Sequence, residues 1–195
     1  MDTSPLFGRD LGNSAGGFSN TEMLTITGIP PATLFSWDKR GQMPEWFSHA
    51  PGRGNRRKYT GRQVMELHFM RSLVDAGLPI SDAWVFAPRF AIGLTAVGHG
   101  FAKAGLLAAL IDHLVQDPPW AMIARRPDGW KPDGVIWHSD NYLALAPEAN
   151  DSVNELNKWA RGHGLRSVIL LDQGAVSVEY LFKGEKVLKA RKKKQ

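Results

Sequence analysis

At 195 residues with 43% hydrophobic content, the chain can bury a sizeable core and has room for one large domain or two small ones. Cysteine is absent, which excludes disulfides, thiolate metal sites and cysteine nucleophiles, and the six histidines lack metal-ligand spacing. The formal charge of +5 is concentrated: residues 53–62 hold Arg53, Arg56, Arg57, Lys58 and Arg62 with no acid, and residues 183–195 hold seven cations against Glu185 alone, a distribution that suits a polyanionic partner.

Residues 1–19 are rich in glycine and serine and lack a basic start followed by an apolar run. They read as a disordered arm rather than a targeting segment. Nowhere do about eighteen apolar residues run together, so a cytoplasmic protein without a membrane span is expected.

Asn20 or Thr21 is placed to cap a short helix, with Glu22 in its first turn where the helix dipole favours an acid. Gly28 ends that helix, and Pro30-Pro31 opens a second with proline at the first helical position. In the second helix Leu34 and Trp37 face a core, while Thr33, Ser36 and Arg40 share another face, and Gly41 closes it. From Gln42 to Lys58 the period is lost, and Pro44, Pro51, Gly52 and Gly54 predict a loop or small hairpin long enough to project. Val64, Leu67, Met70, Leu73 and Val74 then follow a helical period that stops at Gly77. Pro79 opens a further helix expected to end near Pro88.

The texture changes after that point. Residues 89–101 contain Gly93, Gly98 and Gly100 and read as a linker or a weakly specified helix. Leu106, Leu107, Leu110, Ile111, Leu114 and Val115 recur at helical spacing up to Pro118-Pro119. Strand-like runs follow at residues 120–124, 135–138 and 142–146, separated by the turn signals Pro127-Asp128-Gly129 and Ser139-Asp140-Asn141. Ser152 to His163 reads as a helix. Val168 to Leu171 and Val176 to Phe182 flank Asp172-Gln173-Gly174 as an expected hairpin, and residues 186–195 as a basic tail. Trp120, Trp130 and Trp137 fall among these strands with Tyr142, and both core burial and a stacked ligand or partner surface fit them. His138-Ser139-Asp140 has the letters of a hydrolase triad, but adjacent residues cannot converge on one reacting atom. No catalytic residue, metal or cofactor is expected.

Helix, tight turn, helix, basic loop, helix is the order of a winged helix-turn-helix. The segments Thr25-Ile26-Thr27-Gly28-Ile29, Thr33-Leu34-Phe35-Ser36-Trp37-Asp38-Lys39-Arg40-Gly41 and Arg56-Arg57-Lys58-Tyr59-Thr60, followed by Leu67, Met70, Leu73 and Gly77-Leu78-Pro79-Ile80, resemble the DNA-binding domain of MerR-family transcription regulators. The resemblance implies that Thr33 and Trp37 meet the DNA backbone from the recognition helix and that Arg56, Arg57 and Tyr59 meet it from the wing. Phe35 and Ser36 stand where that family usually has Arg and Tyr, so base readout differs here. The glycines of residues 89–102 argue against the family's long coiled-coil helix.

The sequence thus predicts an α+β protein: a MerR-like winged helix-turn-helix at residues 20–88 and a small α+β effector or oligomerisation domain at 102–185. The expected DNA-binding set is Thr33, Ser36, Trp37, Arg40, Arg53, Arg56, Arg57, Lys58 and Tyr59. The expected partners are double-stranded DNA, further copies of the chain, and a small-molecule or protein ligand of the second domain. A sequence-specific transcription regulator is the leading function. A phage-type, excisionase-like architectural factor and a protein-interaction module that no longer binds DNA are the alternatives.

Overall fold

The computed structural model describes residues 4–7, 17–48, 57–103, 107–116, 120–125, 136–138, 142–145, 161 and 168–193. Helices α1 (Asn20–Thr27), α2 (Pro31–Lys39) and the short α3 (Glu45–Ser48) precede α4 (Gly61–Asp75) and α5 (Ile80–Lys103). A two-residue antiparallel ladder joins β1 (Phe18–Ser19) to β2 (Lys58–Tyr59), with Phe18 opposite Tyr59 and Ser19 opposite Lys58. After α6 (Leu107–Gln116) come β3 (Trp120–Arg125), β4 (Ile136–His138), β5 (Tyr142–Leu145) and β6 (Val168–Asp172), then a final helix α7 (Gln173–Lys192). The four later strands form one sheet in the order β4-β5-β3-β6, all neighbours antiparallel. The turn signals at 127–129 and 139–141, Trp130 and the helix expected over 152–163 lie outside the described residues apart from Arg161.

Two helices begin with reciprocal capping. At α1 the Ser19 hydroxyl accepts from Glu22 N while Ser19 N donates to Glu22 Oε2 at 2.7 Å. At α4 the Thr60 hydroxyl accepts from Gln63 N, and Thr60 N donates to Gln63 Oε1 at 2.9 Å. Each box satisfies donors that a helix start leaves open.

Four sequence expectations are corrected. Residues 1–19 are not wholly a loose arm, because Ser4–Phe7 form a 3-10 turn whose Leu6 and Phe7 are buried, and Phe18 is buried as well. Helix α5 does not end at Pro88 but runs through it and through Gly93, Gly98 and Gly100 to Lys103. A proline inside a helix costs about 3 kcal/mol, yet Phe86, Phe90 and Leu94 are buried on either side of it. Each such side chain returns roughly 1.5–3 kcal/mol on burial, so packing overrides propensity, and of the two readings for residues 89–101 it is the helix that forms. The hairpin over 168–182 has only its first strand, since Asp172 Oδ1 accepts from Ala175 N at 2.7 Å and caps α7 where a turn was expected. Residues 186–192 continue that helix instead of forming a tail.

The core is continuous. Leu110 and Leu114 of α6, Ile123 of β3 and Leu171 of β6 belong to the same buried cluster as the residues of α1, α4 and α5, and α7 packs on α1, α4, α6 and the 3-10 turn.

Helix α7 is keyed to the amino terminus by Leu6. A Cβ added to Gly184 would come within 2.3 Å of Leu6 Cδ2, and one added to Gly61 within 2.1 Å of Pro5 O. At Gly61 the backbone leaves room only for hydrogen, whereas at Gly184 a methyl would force the end of Leu6 to turn away. The fully buried Tyr180 hydroxyl donates toward Leu6 O at 2.7 Å and Gly61 O at 3.0 Å, and burial pushes its pKa up. At the other end of α7, Arg191 places Nε and one terminal nitrogen on the two oxygens of Glu22, at 2.5 and 2.8 Å. It also donates to Gly17 O at 3.0 Å and lies 4.8 Å over the Phe18 ring. Burial pushes the Glu22 carboxyl up, but the Arg191 hydrogen bond, the Ser19 donors and the Arg191 charge outweigh it and hold the pKa at about 2.

His68 of α4 is buried beneath α7. Its Nε2 is 3.1 Å from Val176 O and 3.8 Å from Glu179 Oε2, and its Nδ1 has no partner among the described residues. Burial lowers its pKa to about 4 and outweighs the pull of Glu179, so at neutral pH the ring is uncharged and donates to the Val176 carbonyl.

Candidate nucleic-acid interface

The turn between α1 and α2 is set by Gly28, whose φ of +66° is the left-handed conformation favoured by glycine. Gly28 N donates to Leu24 O at 2.8 Å, and Arg71 reaches over from α4 to donate to Thr27 O at 3.0 Å. Ile29 is buried and Pro31 starts α2. The far end of α2 closes with Gly41 at φ +65° and with Gln42 N donating to Trp37 O at 2.9 Å. Helix α2 is thereby held at both ends.

Leu34 is buried and Trp37 packs against the core at partial exposure. On the outer side Ala32, Phe35, Asp38, Lys39 and Arg40 are exposed, whereas Thr33 and Ser36 are half-buried. Phe35, absent from the sequence-based site, is 60% exposed, with Lys39 Nζ 4.7 Å over its ring. Its only sequence signal is the departure from the family's usual arginine. Phe35 also borders an open cleft of about 210 Å³ between α1, α2 and α3, lined by Leu24, Leu34 and Phe47 with Asn20 and Asp38 supplying polar groups.

Residues 42–48 do not project as a loop. Met43 and Phe47 are buried, Trp46 meets Trp84 edge to face at 6.3 Å, and the Trp84 indole N–H donates to Gln42 O. Arg57 joins this layer to the wing base by donating to Trp46 O, with its guanidinium 4.4 Å over Phe47 and 5.2 Å over Tyr59. Tyr59 is 2% exposed, stacks on Phe47 at 6.1 Å, and its hydroxyl donates to Asn20 Oδ1 at 3.3 Å. Burial pushes the Tyr59 pKa up. Tyr59 is thus an anchor of the wing base, Arg57 a half-buried strut, and Lys58 an exposed cation on the strand between them. Arg53 and Arg56 lie outside the described residues.

A family model described as MerR HTH family regulatory protein matches residues 18–84. These residues are a MerR-type helix-turn-helix domain. The match runs from β1 through α4 into the start of α5, about a third of the chain. It omits the 3-10 turn, the four-stranded sheet and α7. No curated protein matches the chain.

Proposed function

We propose that the protein is a DNA-binding transcription regulator in which α2 of the MerR-type domain enters the major groove and the wing base meets the flanking phosphates. The observation that carries this reading is the coincidence of the family match over residues 18–84 with an α2 fixed at both ends and presenting an exposed outer side. Arg40 and Ser36 are the base-reading candidates, Thr33 and Trp37 the backbone contacts of α2, and Lys58 with Arg53 and Arg56 the wing cations, Arg57 bracing the wing base. The sheet and α6 serve as the effector or oligomerisation part, through which paired copies occupy repeated half-sites. Among the described residues no helix is long and apolar enough to cross a membrane, in keeping with a partner in solution.

The test is selection of bound fragments from a sheared genomic library, followed by anisotropy titration on the selected duplex and on random sequence. Arg40→Ala or Ser36→Ala is expected to lower selected-site affinity by roughly 1 to 3 kcal/mol and leave random-sequence affinity nearly intact. Absence of salt-sensitive duplex binding by the intact protein sinks the reading. In that event the exposed Phe35 beside its cleft favours the second reading, a module that docks protein through α2.

A further inference from the structure

We propose that the outer face of α7 is a second DNA-backbone contact that extends the wing, an inference resting on the DNA-binding reading above. Its residues lie far outside the family match.

The buried face of α7, Gly174, Ser177, Tyr180, Leu181, Gly184, Val187 and Leu188, belongs to a helix packed on α1, α4, α6, β3 and the 3-10 turn, while Lys186, Lys192 and Lys193 are exposed. Arg191 then determines where the last turn of α7 lies. By holding Glu22 and Gly17 O and covering the Phe18 ring, it fixes that turn beside the start of α1, next to β1. Two residues on from Gly17, Ser19 pairs with Lys58 of the wing strand. Lys192 and Lys193 follow Arg191 directly and are exposed, as are Lys58 and Lys186. Through Arg191 and β1 the end of α7 is thus tied to the strand that pairs with the wing strand.

Charge pairing separates the cations that stabilise α7 from those left over. Lys183 is paired with Glu179, Lys189 with Glu185 and Arg191 with Glu22. Lys186, Lys192 and Lys193 have no carboxylate within salt-bridge distance among the described residues. Complementing the helix dipole accounts for cations in the last turn only, and Lys186 lies before it. A merely solubilising tail has no need of a fixed end, whereas this one is clamped by three kinds of contact. From Lys186 to Lys193 the helix axis advances about 10 Å, a length over which duplex DNA presents about six phosphate charges. At about 100° per residue Lys186 and Lys193 share the outer side of α7 and Lys192 flanks it, and unpaired ammonium groups on a fixed helix fit that partner.

The experiment compares the full-length protein with K186A/K192A/K193A in anisotropy titrations at several salt concentrations, on the selected duplex and on random duplex. K186Q/K192Q/K193Q is run in parallel, with circular dichroism and melting on all three. Three lost phosphate contacts are expected to flatten the plot of log affinity against log salt by about two to three, to weaken binding to both DNAs by the same factor, and to leave the melting temperature unchanged. A folded triple variant with the wild-type slope overturns the α7 contact while leaving the DNA-binding reading intact. If the unmodified protein binds no duplex in a salt-sensitive way, both readings fall, so the two failures are distinguishable.

Discussion

Glu22 and Arg191 form a two-point ion pair across 169 residues of sequence, with Glu22 also closing the capping box of α1. One carboxylate thus fastens the start of the helix-turn-helix and the end of the last helix. Its pKa of about 2, against an ordinary 4.5, makes the pair a source of acid sensitivity. A depressed folded-state pKa contributes stability that is complete above about 4.5 and disappears as pH falls toward 2. Glu22→Gln is expected to cost about 2 kcal/mol at pH 7 and to flatten the stability profile across that window. Urea titrations between pH 2.5 and 7 measure both, and parallel profiles for variant and wild type count against the pair.

His68 acts at higher pH. With a folded-state pKa of about 4 and an ordinary value of 6.5, the unfolded chain binds the extra proton between these limits, so stability falls as pH drops from about 6.5 to about 4. NMR titration of the His68 ring is expected to show no protonation above pH 5. A His68→Gln variant that retains the fold removes the 6.5-to-4 slope while keeping the lower one due to Glu22. An imidazole titrating near 6.5 in the folded protein contradicts the burial account.

The contacts of Leu6 predict an ordered pair of glycine effects. Gly61→Ala meets the backbone oxygens of Pro5 and Leu6, whereas Gly184→Ala meets the end of a leucine side chain. Backbone yields less readily, so Gly61→Ala is expected to destabilise by about 1 to 3 kcal/mol and Gly184→Ala by less. In a Leu6→Ala background the Gly184 penalty shrinks, at a cost of about 2 to 5 kcal/mol for the cavity itself. A double-mutant cycle by chemical denaturation reads this coupling, and strict additivity argues against the notch.

Arg57 and Lys58 are neighbours with different expected behaviour. Arg57→Ala removes a hydrogen bond to Trp46 O and two aromatic contacts, and is expected to lower stability by about 1 to 2 kcal/mol. Lys58→Ala removes an exposed charge, leaves stability within about 0.5 kcal/mol, and reduces the salt slope of DNA binding by about one. Melting curves and salt titrations on the same two proteins separate strut from phosphate ligand.

Much of the helix-turn-helix was legible from local chemistry. Gly28, Pro31, Gly41 and Gly77 mark ends because their backbone requirements are independent of what packs nearby, and the apolar period of α4 matches its buried face. Long-range packing was not legible. Phe18, Leu6 and Phe7 sit in a glycine- and serine-rich stretch whose composition is that of a loose arm, yet the 3-10 turn packs on α4, α5 and α7 and Phe18 pairs across to Tyr59, all far away in sequence. Val176, Val178, Tyr180 and Phe182 alternate as a strand does, yet Tyr180, Leu181, Gly184, Val187 and Leu188 also repeat as a helix, and the Asp172 cap decides between the two. At the candidate interface, Arg57 looked like a free phosphate ligand because its charge is visible in sequence. The Phe47 and Trp46 contacts that engage it are not.

The placement of Leu6 between Gly61 and Gly184 also sets an order of events during synthesis. Residues 18–84 leave the ribosome more than eighty residues ahead of α7. At about 5 to 20 residues per second, several seconds pass in which the nascent helix-turn-helix has no Tyr180 over Gly61 and no Arg191 on Glu22. During that interval the sides of Leu6 and His68 that α7 covers are open to water or to a chaperone. A chain truncated before residue 173 is expected to leave the surface that α7 covers open to water.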